Sequence, residues 1–158
     1  MDTGAKVRSL SDAIAWRSRQ VGPIVFTNGV FDLIHPGHVQ LLEAARREGT
    51  ALIVGVNTDA SVRRLGKGPE RPVMNEAARA RVVAGLVSAD CVVLFPDDTP
   101  MDLIQILAPD VLVKGADYPR ASIVGGDWVE SRGGRVVRVP LIDGFSTTSL
   151  VERLRATS

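Results

Sequence analysis

The chain has 158 residues, a one-domain length that can bury a core without disulfides or a structural metal. Nineteen Lys and Arg stand against 18 Asp and Glu, so the net charge is +1, and 45% of residues are hydrophobic. That balance excludes global disorder and gives no overall pull towards nucleic acid or an anionic membrane. A single cysteine, Cys91, excludes an internal disulfide framework and a cysteine-built zinc site. The first twenty residues carry charges throughout and no apolar run approaches membrane-spanning length, so a cytoplasmic domain is expected.

In chain order, Ser9 to Arg19 reads as a helix at the N-terminus. Pro23 to Thr27 (PIVFT) is short and apolar, which predicts a buried strand. Pro36 to Glu48 places Val39, Leu42, Ala45 and Arg46 at helical spacing, with Gly49 as a stop. Ala51 to Val56 predicts a second strand, residues 59–65 a short helix, and Gly66 to Pro72 a flexible loop. A helix over 75–88 leads to a third strand, Cys91 to Phe95. Thr99-Pro100 opens a helix to Leu107, and Asp110 to Val113 follows as a fourth strand. A short helix over 126–132, a fifth strand at Arg135 to Val139 and a helix from Ser146 to Arg155 complete the pattern. Strands alternating with helices mean βαβ units with right-handed crossovers. The expectation is one Rossmann-like α/β domain, a five-stranded parallel sheet with helices on both faces. Ligands of such sheets sit beyond the carboxyl ends of the strands, near a topological switch point.

The residues after the first strand are therefore the first place to look: Thr27-Asn28-Gly29-Val30-Phe31-Asp32-Leu33-Ile34-His35-Pro36-Gly37-His38. Both histidines of the chain lie here, three residues apart, on one face of a helix start. Pro36 fits the first helical position, and Gly37 leaves room for close approach to the backbone. Free amides and the helix dipole attract anions at such a start. The ensemble suits phosphate oxygens. There is no HExxH pattern, and Asp32 is the one further metal-ligand candidate nearby, so no metal site is assigned.

The stretch TNGVFDLIHPGH closely resembles the nucleotidylyltransferase signature, an HxGH core after a (T/N)GxFD strand end. Gly144 to Ser149 (GFSTTS) resembles the second signature of that superfamily, an STT helix start about 110 residues later. The segments Val54 to Val62, Arg71-Pro72-Val73, Asp97 to Pro100 and Val113 to Tyr118 resemble one subgroup, the heptose-1-phosphate adenylyltransferase domain of ADP-heptose synthesis. The resemblance covers residues 20–155, which leaves 1–20 as an N-terminal helical extension and 21–158 as the nucleotidylyltransferase domain. Val30 stands where close relatives commonly carry Cys, and Ala116 where they carry Gly.

The resemblance implies transfer of AMP from ATP to a sugar 1-phosphate with release of pyrophosphate, Mg²⁺ accompanying ATP, and a homo-oligomer. It implies no nucleic-acid or membrane partner. His35, His38 and Lys114 would be catalytic. Thr27, Asn28, Gly29, Phe31, Gly37, Asn57, Arg79, Gly115, Ser146, Thr147 and Thr148 would bind the nucleotide. Asp32, Arg64, Lys67 and Asp117 would bind the acceptor, with Arg64 and Lys67 on a loop able to close as a lid. Each has a plainer reading: a helix-start carboxylate for Asp32, an ordinary N-cap for Ser146, a solvated face for Arg79 and a charged surface loop for Arg64 and Lys67. The chemistry needs no general base, because a phosphate monoester with a second pKa of about 6 is already ionised at neutral pH. The alternatives are a cytidylyltransferase for glycerol 3-phosphate or a similar phosphorylated alcohol, transfer to a different sugar phosphate, and a non-catalytic nucleotide-binding module.

Overall fold

A computed structural model describes residues 1–158. The short β-branched runs form five strands: β1 (Ile24–Gly29), β2 (Ala51–Asn57), β3 (Cys91–Phe95), β4 (Val111–Gly115) and β5 (Arg135–Val139). Seven helices join and flank them: α1 (Leu10–Ser18), α2 (Pro36–Arg47), α3 (Asp59–Arg64), α4 (Glu76–Gly85), α5 (Met101–Leu107), α6 (Gly126–Ser131) and α7 (Thr147–Ala156). All strand pairs are parallel, in the order β3-β2-β1-β4-β5. The expected α/β fold is the one observed. The switch point lies between β1 and β4, where the chain crosses back after β3.

Alternate residues of each strand serve opposite faces, so the core has two layers. Val25, Leu52, Val54 and Val92 join Leu42 and Ala45 of α2 and Ala80 and Val83 of α4. On the other face Ile24, Phe26, Ile53 and Val93 join Ala13 of α1, Leu103, Ile104 and Leu107 of α5, and Val129 of α6. Two close approaches need glycine. A Cβ on Gly49 would lie 2.3 Å from the Pro23 carbonyl oxygen, and one on Gly134 2.4 Å from that of Asp110.

Three local differences from the sequence reading have physical causes. The helix expected over 75–88 ends at Gly85, because Leu86 turns extended and donates to the Val83 carbonyl. This lets Leu86 and Ala89 reach the core while Val87 points outward. The first strand runs on to Gly29, its ladder with β2 continuing through Asn28↔Gly55 and Gly29↔Val56. The N-terminal residues are tied to the sheet edge: Val7 bridges Val92 in parallel, and the Arg8 amide donates to the Val92 carbonyl.

The β1–β4 pairing is brief, Val25↔Val111 and Phe26↔Leu112 alone. Beyond it the two strands part, and the cleft opens there. No helix is long and apolar enough to cross a membrane.

Candidate active site

The loop from β1 to α2 is built under strain. Phe31 and Leu33 both have positive φ, 52° and 53°, a region that costs a side chain about 1 kcal/mol or more. The loop persists because it is held from three sides. The Asp32 carboxylate, in a side chain with no exposure, accepts from Arg71 Nε at 3.1 Å and from the amides of Val73 at 2.7 Å and Met74 at 3.0 Å. The Val30 carbonyl accepts from Arg79 Nη1 at 2.7 Å, and the Asp32 carbonyl accepts from the Thr147 hydroxyl.

This loop delivers His35 and His38 to the start of α2, where they form a reciprocal cap. His35 Nδ1 accepts the Gly37 amide at 3.1 Å, and His38 Nδ1 accepts the His35 amide at 3.3 Å. The geometry is that of a Ser-x-x-Glu capping box with imidazoles in both roles. An Nδ1 that accepts is unprotonated, so each neutral ring carries its proton on Nε2, on the edge away from the backbone. Both rings line the cleft and stack 3.8 Å apart. Burial, then the charge of His35, pushes the His38 pKa down to about 4; burial lowers His35 as well. At neutral pH the pair offers two uncharged N–H donors above a helix N-terminus. A Cβ on Gly37 would stand 2.9 Å from the His35 ring, so glycine here leaves the ring its place.

Where β1 and β4 part, two carbonyls lose ladder partners and side chains replace them. The Thr27 hydroxyl donates to the Val113 carbonyl at 2.9 Å, and Lys114 Nζ donates to the Asn28 carbonyl at 3.2 Å. Burial lowers the Lys114 pKa to about 8, with Asp117 opposing the shift and Lys67 adding to it. Asn28 Oδ1 is buried without a hydrogen-bond partner, on a residue that lines the cleft. Across the cleft, Ser146 caps α7 by accepting the Ser149 amide at 3.0 Å, and Thr148 lines the opening beside it. The whole encloses about 570 Å³, the size of a small-molecule site.

Two helix N-termini thus face one cleft at the switch point, one dressed with imidazoles and one with hydroxyls. The cytidylyltransferase-like family model matches residues 26–151, which include both. The chain belongs to the cytidylyltransferase-like nucleotidyltransferases. It is 58% identical over 138 residues to the bifunctional protein HldE of Gluconobacter oxydans, covering 87% of this chain and 29% of that protein. It is 50% identical over 157 residues to the bifunctional protein HldE of Syntrophotalea carbinolica, covering 98% and 32%. The chain therefore spans about 30% of the length of these curated relatives. Among solved structures, the lipopolysaccharide core biosynthesis protein of Thermoplasma volcanium matches with TM-score 0.64 at 25% identity, over 77% of this chain and 98% of that one. Pantothenate synthetase of Thermus thermophilus matches with TM-score 0.60 at 16% identity, over 96% and 70%, a likeness of fold.

In this nucleotidyltransferase the cleft brings together His35, Gly37, His38, Asn28, Gly29, Phe31, Asn57, Lys67, Lys114, Gly115, Asp117, Ser146, Thr147 and Thr148. Several residues expected to touch ligand have polar groups engaged within the protein. Thr27 is fully buried and bridges β1 to β4 instead of facing phosphate. Arg79 has neither a phosphate nor a solvated face: it is fully buried, donating to Met74 O, Val30 O and Asp59 Oδ1. Arg64 stands outside the cleft, paired at 2.6 Å with Asp98, which does line it. Asp32 lines the cleft, and its carboxylate holds the 71–74 segment. The Thr147 hydroxyl is likewise committed to the Asp32 carbonyl, and the Asn57 amide donates to Ser61 Oγ at 2.8 Å.

The sequence reading also passed over cleft residues. Arg71 lies in the loop read as flexible, yet it is buried at the cleft. Glu70 beside it pairs with Arg155 of α7. An apolar wall of Ile123, Val124, Leu141, Ile142 and Phe145 lines the β4–β5 side. Its residues come from separate connections, so no local pattern marks them.

Proposed function

We propose that this nucleotidyltransferase transfers AMP from ATP to D-glycero-β-D-manno-heptose 1-phosphate, giving ADP-heptose and pyrophosphate. The observation that carries the reaction type is the double imidazole cap facing a second helix N-terminus across one cleft. A sugar phosphate oxygen attacks the α-phosphorus in line; the new P–O bond forms as the bond to the β-phosphate oxygen breaks. The attacking oxygen is already ionised, so the protein's task is to hold two anions and stabilise spreading charge. The Nε2–H groups of His35 and His38 donate to the α- and β-phosphate oxygens, more strongly as charge grows on the departing pyrophosphate. Lys114 supplies a cation from the other strand of the switch point. The amides at the start of α7, with Ser146 and Thr148, take the terminal phosphates. The apolar wall offers a face for the base, and Asp117 an acceptor for sugar hydroxyls. Magnesium arrives with ATP as part of the substrate and screens the triphosphate charge.

The choice of ATP and of the heptose rests on the subgroup motifs and on 50–59% identity to bifunctional HldE proteins. Pyrophosphate release should be measured with Mg²⁺ and a matrix of ATP, CTP, GTP and UTP against heptose 1-phosphate and glycerol 3-phosphate. Release with ATP and heptose 1-phosphate, abolished in His38→Ala, is expected. CTP with glycerol 3-phosphate as the productive pair would reassign the substrates. ATP binding with no release from any pair would replace the enzyme reading with a nucleotide-binding module.

A further inference from the structure

Two arginines are buried in this domain, and their hydrogen bonding differs. Arg79 gives each of its three guanidinium nitrogens a protein acceptor, through Nε, Nη1 and Nη2. Arg71 is 5% exposed, and its guanidinium makes a single hydrogen bond, Nε to Asp32 Oδ2. Its two Nη groups donate to no protein atom, and the residue lines the cleft. A guanidinium carries five N–H donors, so four are without protein acceptors. Desolvating a cation for one hydrogen bond is unfavourable unless another acceptor completes its shell. The carboxylate that holds it is itself shared with the Val73 and Met74 amides.

The surroundings say what that acceptor is. Lys67 and Lys114 line the same cleft, so three cations gather there; of the three carboxylates beside them, Asp32 is divided among three donors, Asp98 is paired with Arg64, and neither Asp98 nor Asp117 bonds Arg71. Burial, then the charge of Arg71, lowers the Lys67 pKa, and Asp32 opposes the shift. A free Nη pair matches two oxygens of a phosphoryl group bidentately.

We propose that Arg71 is a phosphate-binding residue of the reaction: its Nη groups receive a phosphoryl group of a bound substrate while Asp32 fixes the plane of the guanidinium. This rests on the nucleotidyl-transfer reading above. The phosphoryl group comes either from the acceptor or from the pyrophosphate half of the nucleotide, and kinetics separates the two.

Arg71→Gln and Arg71→Lys should be compared with wild type in the forward reaction, varying ATP and heptose 1-phosphate, and in the reverse reaction, varying pyrophosphate. A rise of about 10- to 100-fold in KM is expected, which is what loss of a charge-assisted contact of about 1.5–3 kcal/mol amounts to. If the rise is confined to heptose 1-phosphate, Arg71 holds the acceptor. If it falls on ATP and pyrophosphate, Arg71 holds the nucleotide. Arg71→Lys restores charge without the paired donors and should recover only part of the loss. Unchanged KM for all three ligands in a variant with wild-type melting behaviour overturns the proposal. Should both variants fail to fold, phenylglyoxal labelling of wild-type Arg71, mapped by mass spectrometry, gives the answer. Saturating heptose 1-phosphate or pyrophosphate should protect it, and equal labelling with and without them overturns the proposal. Wild-type protein that turns over while Arg71 variants match it refutes Arg71 alone; absence of wild-type turnover refutes the functional reading and this role with it.

Discussion

Acidification should destabilise this protein through His38, by an amount that follows from the cap. The unfolded chain titrates near the ordinary histidine value of 6.5, and folded His38 near 4. The folded state therefore holds the proton less tightly. Between those two pH values the unfolded chain binds more protons, so stability falls as pH falls. The contribution is complete above pH 6.5 and is lost as pH drops towards 4. Single-site linkage gives about 2 kcal/mol lost between about pH 7 and pH 5. The ring is partly exposed and solvent screens part of the shift, so the expected loss is about 1–2 kcal/mol. His35 is shifted in the same direction and adds to it. The assay is urea unfolding at both pH values for wild type and His38→Gln. The variant should lose about 1–2 kcal/mol less than wild type. Two histidines make the check by nitrogen-resolved NMR direct: at neutral pH both rings should carry the proton on Nε2. Equal pH dependence in wild type and variant, or a His38 ring protonated on Nδ1, would refute the reasoning from the cap.

Three further outcomes are expected. Wild-type kcat/KM should fall on the alkaline side with an apparent pKa near 8, as Lys114 in the free enzyme loses its charge; in Lys114→Arg that limb should move above about pH 10, and an unmoved limb would assign it to another group. Thr27→Val should cost about 1 kcal/mol in denaturant unfolding and leave the nucleotide KM within about twofold, because the hydroxyl joins strands; a tenfold rise in KM would place it on the ligand. Gly37→Ala should lower kcat by about 100-fold with little change in melting temperature, because the added methyl displaces the His35 ring; wild-type kcat would show that the ring position does not matter.

Much of this was legible because it is local. Short apolar runs named all five strands, and their alternation with helical patterns dictated a parallel sheet. Pro36 and Gly37 between two histidines already mark a helix start able to hold anions. Ser146-Thr147-Thr148 marks the second one. What composition and spacing do not carry is the division of labour among polar side chains, since that depends on which segments meet. Thr27 and Lys114 look equivalent as polar residues near strand ends. Only the parting of β1 from β4 turns one into a strut and leaves the other at the cleft. Arg71 and Arg79 are both arginines near a loop; the fold gives every guanidinium nitrogen of one an internal acceptor and leaves the other's Nη groups open. Asp32 looks like a substrate carboxylate until the 71–74 segment closes over it. The sequence by itself determined the layered α/β architecture and the two helix starts that face the cleft, because apolar runs, helical spacing and helix capping act within a few residues. The tertiary structure alone decided which hydroxyls, carboxylates and guanidiniums remain free for ligand, because hydrogen-bond satisfaction is settled between segments far apart in the chain.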